Sequence, residues 1–366
     1  MKHYGWLVSP YTAKTRSYLQ YIKVEFVDIA PTTWDLYRKI KPKVGKFIMP
    51  TMELDNGTWL QDSSVIIDHF DNQNCFPSIH PQGATQALAS YLLEVFADEW
   101  LPMAALHYRW NIAGNKSFAT DEFARYGFPM LPRFVGRKLV GSIAQRMQSY
   151  LPILGVTEKT YAGVEETVSL VLDCLEAVLS EQHYIMGGRP CLGDFSLFAP
   201  LWAHLYRDPY STYLFDGKPN VVRWMKALRS NPVEQGPFLS DDAVPAKLDP
   251  LFRCIFVDQW LWIKKLVRHI DVYCERNLQA KRVPRALGFD TFSIRGLVEQ
   301  RKLITFVQWK AQRAETAYLD ANGLADQWLE RVLEETDLSA QNCIPTIQNP
   351  FELKNFAAVL KKPNSS

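Results

Sequence analysis

In this 366-residue chain the strand-like runs of the first 75 residues stop near residue 82, and only helical periodicity follows until a basic stretch at 282–296. That change of period constrains the fold more than any single motif. Residues that alternate every two positions build sheets, whereas a spacing of three and four builds helices that bury one stripe. A small α/β layer followed by a helical body is therefore expected, with boundaries at 1–76, 82–236 and 237–366.

Within the first part, "HYGWLV" at 3–8 and "VEFVDI" at 24–29 read as strands, because both are rich in β-branched and aromatic residues. Between them Pro10 to Ile22 repeats Tyr11, Tyr18, Leu19 and Ile22 at helical spacing. "TTWDLYRKI" follows as a short helix capped by Thr32 or Thr33. In "MPTMELDNGTWLQD" two short strands flank Asp55-Asn56-Gly57, and Asn-Gly is a strong hairpin signal because both residues tolerate positive φ. "DSSVIIDHF" then opens a helix capped by Asp62 or Ser63. The order β-α-β-α-β-β-α describes a thioredoxin-like layer.

The helical body begins with "QGATQALASYLLEVFADEWLPMAALHYRW", interrupted at Pro102. Val164, Val168, Val171, Leu175 and Val178 mark a further apolar stripe. The stretch "PFLSDDAVPAKLDP" at 237–250 reads as a linker. Beyond it a helix is expected at 251–276, then the strand-like basic stretch "RVPRALGFDTFSIRG", helices at 299–315 and 324–335, and a proline-punctuated tail. Leu303, Phe306, Val307 and Lys310 fall on one side of the 299–315 segment, which is expected to pack on the helical body.

Charge and cysteine usage exclude several classes. Forty-one basic and thirty-nine acidic residues leave a net charge of +2, which implies neither a nucleic-acid nor a membrane-surface partner. The six cysteines, Cys75 among them, are scattered without the spacing of a zinc site, so no metal is expected and buried free thiols are. No apolar run approaches the roughly 18 residues of a membrane span, and the N-terminus lacks a secretion signal. A soluble cytoplasmic protein is the expectation.

Four segments, taken in order, resemble the cytosolic glutathione transferases. "SPYTAKTR" is similar to the Ser-Pro-Phe or Cys-Pro-Phe opening of the tau, omega and related classes. "IMPTM" resembles the Val-Pro-Val/Leu segment, "LQDSSVIIDHF" the Glu-Ser segment, and "LGDFSLFAPLWAHLYRD" the Ala-Asp-Phe segment of the helical domain. The resemblance covers residues 2 to about 235. It implies an N-terminal thioredoxin-like domain, an all-α transferase domain and, here, an extra mainly helical extension.

The resemblance also assigns roles. Ser9 stands at the catalytic position, at the N-terminus of the first helix, where it either caps that helix or stabilises a thiolate. Pro50 is expected to be cis, with the Met49 backbone bound to the cysteinyl residue of glutathione. Asp62 is expected to accept the γ-glutamyl ammonium, while Ser63 and the amides behind it take the adjacent carboxylate. Lys46, with Lys43 as a rival, would reach the glycyl carboxylate, although "GKFIMP" inserts Phe47 and Ile48 into the usual loop. Lowering a thiol pKa from about 8.5 by two units takes roughly 2.7 kcal/mol, which a hydroxyl and a helix N-terminus together approach.

A small hydrophobic electrophile would lie against Tyr11, Met103, Leu106, His107 and Trp110, the last four sharing a helix face; plain core is the competing reading of that stripe. His107 has no evident partner. The implied activity is detoxifying transfer of glutathione as co-substrate, in a chain that can form a homodimer. The alternatives are a glutathione-dependent isomerase or lyase, and a non-catalytic member of the fold kept for protein contacts.

Overall fold

The computed structural model describes residues 1–73, 78–230 and 232–361; Cys75 lies outside them. The N-terminal layer runs β1 (Lys2–Tyr4), α1 (Pro10–Tyr21), β2 (Val27–Ile29), α2 (Thr33–Asp35), a wide helical turn at Leu36–Ile40, α3 (Lys41–Val44), β3 (Thr51–Glu53), β4 (Trp59–Gln61) and α4 (Ser63–Asp71). The sheet order is β2-β1-β3-β4, with β1 and β2 parallel and the other pairs antiparallel. The strands are shorter than the sequence suggests, because "HYGWLV" leaves the sheet after Tyr4. At the β3–β4 turn Gly57 alone adopts positive φ (82°), so Asn56 is not forced into the left-handed region.

Thr32 caps α2 reciprocally with Asp35. α1 is capped by Ser9, whose Oγ accepts from the Thr12 amide at 3.3 Å, and Pro10 fills the first helical position.

The helical body comprises α5 (Ala84–Glu99), α6 (Pro102–Asn111), α7 (Ala113–Gly127), α8 (Arg133–Gln148), α9 (Tyr150–Ile153), α10 (Tyr161–Leu179), α11 (Leu192–Pro200) and α12 (Pro219–Ser230). The break between α5 and α6 falls just before Pro102, as its missing amide requires. α11 is fully buried, and Asp194 near its start accepts from the amides of Cys191 and Ile185 and from Trp224 Nε1. Tyr18 of α1 packs edge-on against Phe195, and the Ser17 hydroxyl donates to Leu228 O, which joins the α/β layer to the helices.

The extension departs most from expectation. It contains α13 (Asp249–Cys254), α14 (Leu261–Arg276), a hairpin β5 (Ala286–Ile294) and β6 (Leu297–Ile304), α15 (Phe306–Ala321), α16 (Asp326–Leu333) and a second hairpin β7 (Phe351–Lys354) and β8 (Ala357–Leu360). Leu303 lies on β6 rather than on a helix beginning at 299. The reason is the two-residue turn Arg295-Gly296, both at positive φ, which folds residues 297–304 back along β5 before any helix can start. Asn355-Phe356 turns the second hairpin in the same way. Residues 237–250 dock on the body: Asp242 accepts from the Thr85 and Gln86 amides at 2.7 and 2.9 Å and so caps α5. Among the described residues no helix is long and apolar enough to cross a membrane.

Candidate functional site

The strand register decides which loops meet. Tyr4, Thr51 and Gln61 lie opposite one another on β1, β3 and β4. Because β3 runs against its neighbours, the chain leaving β1, the chain entering β3 and the chain leaving β4 emerge at one end of the sheet. Those segments are 5–9, 49–50 and 62–63. Three stretches, the outermost separated by 52 residues, are thus brought together by two antiparallel pairings.

Each loop is fixed locally. A Cβ at Gly5 would lie 2.2 Å from the Thr12 side chain, so glycine alone lets β1 turn so closely into α1. The Val8 carbonyl, one residue before Ser9, accepts from Arg109 Nη1 at 2.9 Å and is met by His204 Nε2 at 3.1 Å. Met49–Pro50 is cis, and no hydrogen bond engages the Met49 backbone among the described residues. Asp62 adopts φ 84°, costly for a residue with a Cβ, and accepts from the Ser64 amide at 2.9 Å as the cap of α4. Ser63 is buried, with its hydroxyl unpartnered.

Behind this edge lies a buried ionic network. Lys14 on α1 donates to Glu94 at 2.8 Å and to Asp98 at 2.9 Å, both on α5 and four residues apart on one face. Lys310 and Arg313 on α15 enter from the other side. The Lys310 ammonium lies 3.0 Å from Asp62 Oδ1, 2.5 Å from Ser64 Oγ and 3.0 Å from Asp98 Oδ2. Arg313 bonds Glu94 at 2.8 Å and grips both carboxylate oxygens of Asp68. Burial alone would raise the Glu94 pKa, yet Arg313, Lys14 and Lys310 hold it well below the usual carboxylate range. Burial likewise opposes charge on Lys310, but Asp62, Asp98 and Glu94 raise its pKa instead.

Glu99, the last residue of α5, forms no side-chain hydrogen bond or ion pair among the described residues. Burial pushes its carboxyl up to about 8; Lys310 opposes that, while Asp98 and Asp62 add to it. An acid whose pKa is raised on folding favours the folded state below its unfolded pKa, here about 4.5, and that contribution is lost as pH rises through about 8. Stability should therefore fall by about 2 to 3 kcal/mol across this window, less than the full shift implies because the side chain is partly accessible. Glu99→Gln should flatten the decline. Denaturant titrations of both proteins at pH 5 and 8.5 check this, and parallel pH dependences would remove Glu99 as its source.

The expected electrophile pocket does not assemble as drawn. Met103 is buried under Arg301, whose Nη1 lies 3.0 Å from the Met103 sulfur, and Trp110 packs edge-on against Phe123. His107 has a partner after all: its Nε2 lies 3.1 Å from Glu165 on α10 and its ring packs on Tyr161. Along this stripe of α6 Met103 meets the extension while His107 and Trp110 meet the helical body, and Met103 and Trp110 are both buried. Arg109, skipped by the stripe, reaches the α/β layer instead. Tyr11 is half-buried and its hydroxyl donates to Asp98 O at 2.8 Å. Lys46 is exposed and donates to Phe356 O at 2.5 Å, at the turn of the second hairpin; its amine is bound by the extension.

Sequence reasoning missed Lys14, Glu94, Asp98, Arg109 and Arg313 as residues that pair behind the candidate site. The available signal was charge on apolar stripes: Glu94 and Asp98 interrupt "YLLEVFADEW", and Lys310 sits on the packing side of its helix. A buried charge needs a partner, so such positions foretell a tertiary ion pair without naming it.

Comparison with known proteins places residues 4–75 on the glutathione S-transferase N-terminal domain model and residues 140–232 on the glutathione S-transferase C-terminal domain model. No curated protein matches. Solved structures with a similar chain course include the beta-etherase LigF from Sphingobium sp. strain SYK-6 (16% identity, TM-score 0.43, covering 63% of this chain and 95% of that one). A glutathione S-transferase from Rhodospirillum rubrum F11 is 14% identical (TM-score 0.43, 67% and 96% covered). Gtt2 from Saccharomyces cerevisiae is 16% identical (TM-score 0.38, 63% and 97% covered).

Proposed function

The chain belongs to the glutathione S-transferase family, both of whose domains it carries, and on that premise we propose that it binds glutathione at the shared edge of β1, β3 and β4 and transfers it to a small hydrophobic electrophile. The observation that carries this reading is the convergence of Ser9, Met49 and Ser63 at one end of the sheet. An extended thiol peptide needs a backbone edge in its middle, donors for a carboxylate at one end and a stabiliser for its sulfur. Met49 supplies an unengaged backbone edge, suited to pairing with a peptide strand. The Ser63 hydroxyl and the first turn of α4 supply carboxylate donors. Ser9 accepts from Thr12 through its lone pair, which leaves its own O–H free to donate to a thiolate. Capping and catalysis are therefore compatible in one hydroxyl.

A second reading, a non-catalytic member kept for protein contacts, draws on the Lys310 ammonium beside Asp62 and on Lys46 held by Phe356. One experiment separates the two. In the transferase reading, titration of thiolate absorbance in the presence of glutathione gives a bound thiol more acidic than free glutathione, and Ser9→Ala raises that pKa by about one unit, equivalent to about 1.4 kcal/mol, with affinity nearly unchanged. Absence of glutathione binding at millimolar concentration would overturn the transferase reading.

A further inference from the structure

The position that Asp62 offers to a ligand's ammonium already holds one from the chain itself. Lys310 Nζ is a primary ammonium, the same chemical group as the γ-glutamyl amine, and it lies 3.0 Å from Asp62 Oδ1. That oxygen also accepts from the Ser64 amide at 2.9 Å, so two donors already share it. We propose that Lys310 is a built-in competitor for the γ-glutamyl ammonium, so that the site binds the remainder of the thiol peptide while gaining little from its amino group. This rests on the glutathione reading above.

The surroundings argue that Lys310 is fixed and not a surface side chain that has strayed. Its side chain is only 2% exposed. It descends from a helix held on the body by the buried Val307, Ala311 and Ala314. Arg313, one turn further on, pins the same helix to Glu94 and Asp68. Withdrawal of Lys310 would leave Asp98 with Lys14 as its one remaining cation among the described residues and Ser64 Oγ without its ammonium donor. A second ammonium brought to Asp62 would meet the first across one carboxylate, where like charges repel strongly because water is largely excluded. The extension reaches the other end of the expected peptide path as well, through Phe356 O on Lys46.

The test compares two ligands on the full-length protein: glutathione, and the analogue in which the γ-glutamyl amino group is replaced by hydrogen. Titration calorimetry of the unmodified protein should give dissociation constants within about threefold of each other, because the amine finds Asp62 already paired. In Lys310→Met glutathione should become favoured over the analogue by about tenfold or more. Because that variant strands Asp98, Lys310→Met/Asp98→Asn is measured beside it, with thermal unfolding to confirm the fold. A tenfold preference for glutathione in the unmodified protein, or the same ratio with and without Lys310, overturns the proposal and leaves the glutathione reading standing. Failure of every protein to bind either ligand overturns both.

Discussion

Truncation after residue 245 is expected to abolish the soluble fold. The deleted segment contains Lys310 and Arg313, which neutralise Glu94 and Asp98, carboxylates with 0% and 2% side-chain exposure. Lys14 alone would then face two buried carboxylates and leave one charge uncompensated, at a cost of about 3 to 5 kcal/mol for a broken buried pair. The same cut removes Leu251, Phe252, Ile255, Phe256 and Trp260, all buried in the core shared with the helical body, and exposes the face of α5 that α15 covers. A typical margin of roughly 5 to 15 kcal/mol does not survive both losses. Soluble yield and thermal unfolding of the shortened chain check this. A monodisperse product melting with the full-length protein would show the extension to be energetically separate.

The second large effect is expected at Arg109. Its guanidinium makes a two-pronged contact with Asp208 (2.7 Å on each arm), donates to Ala203 O at 2.7 Å and to Val8 O at 2.9 Å. Both partners of the ion pair are nearly inaccessible, and burial already pushes the Asp208 carboxyl upward against the pull of Arg109. Arg109→Met should cost about 3 to 5 kcal/mol, because Asp208 is left buried without its cation. Arg109→Lys should recover little, since one ammonium cannot reproduce four directed bonds. Arg109→Met/Asp208→Asn should be milder than Arg109→Met. Denaturant unfolding of the set measures this, and additive losses would mean the pair is not coupled. Because Val8 O lies next to Ser9, the variants should also loosen the entry to α1.

Much of the architecture was legible from local chemistry. The strand-helix alternation to residue 71, the Ser9-Pro10 start of α1, the Thr32 cap, the turn at 55–57 and the break at Pro102 each follow from what a few adjacent residues can adopt. Short-range rules act within one turn of chain, so short stretches of sequence suffice to read them. The hairpin at 286–304 was half legible: its first strand showed, but Arg295-Gly296 is a weaker turn signal than Asn-Gly, and the apolar spacing of 303–307 fits helix and strand alike.

The sequence by itself determined the element boundaries at which Ser9, Asp62 and Ser63 stand, while resemblance to the family, rather than local propensity, marked them together with Met49 and Pro50 as the proposed peptide edge. Only the tertiary structure decided what faces them. That Lys310 meets Asp62 across 248 positions of chain, that Arg313 meets Glu94 across 219, and that Phe356 holds Lys46 across 310 are consequences of how α15 and the second hairpin pack. The physical reason is that burial requires a charge to be neutralised but does not specify by which residue. The requirement is written along each helix as a charge on an apolar stripe, and the partner is chosen by the packing of elements distant in sequence.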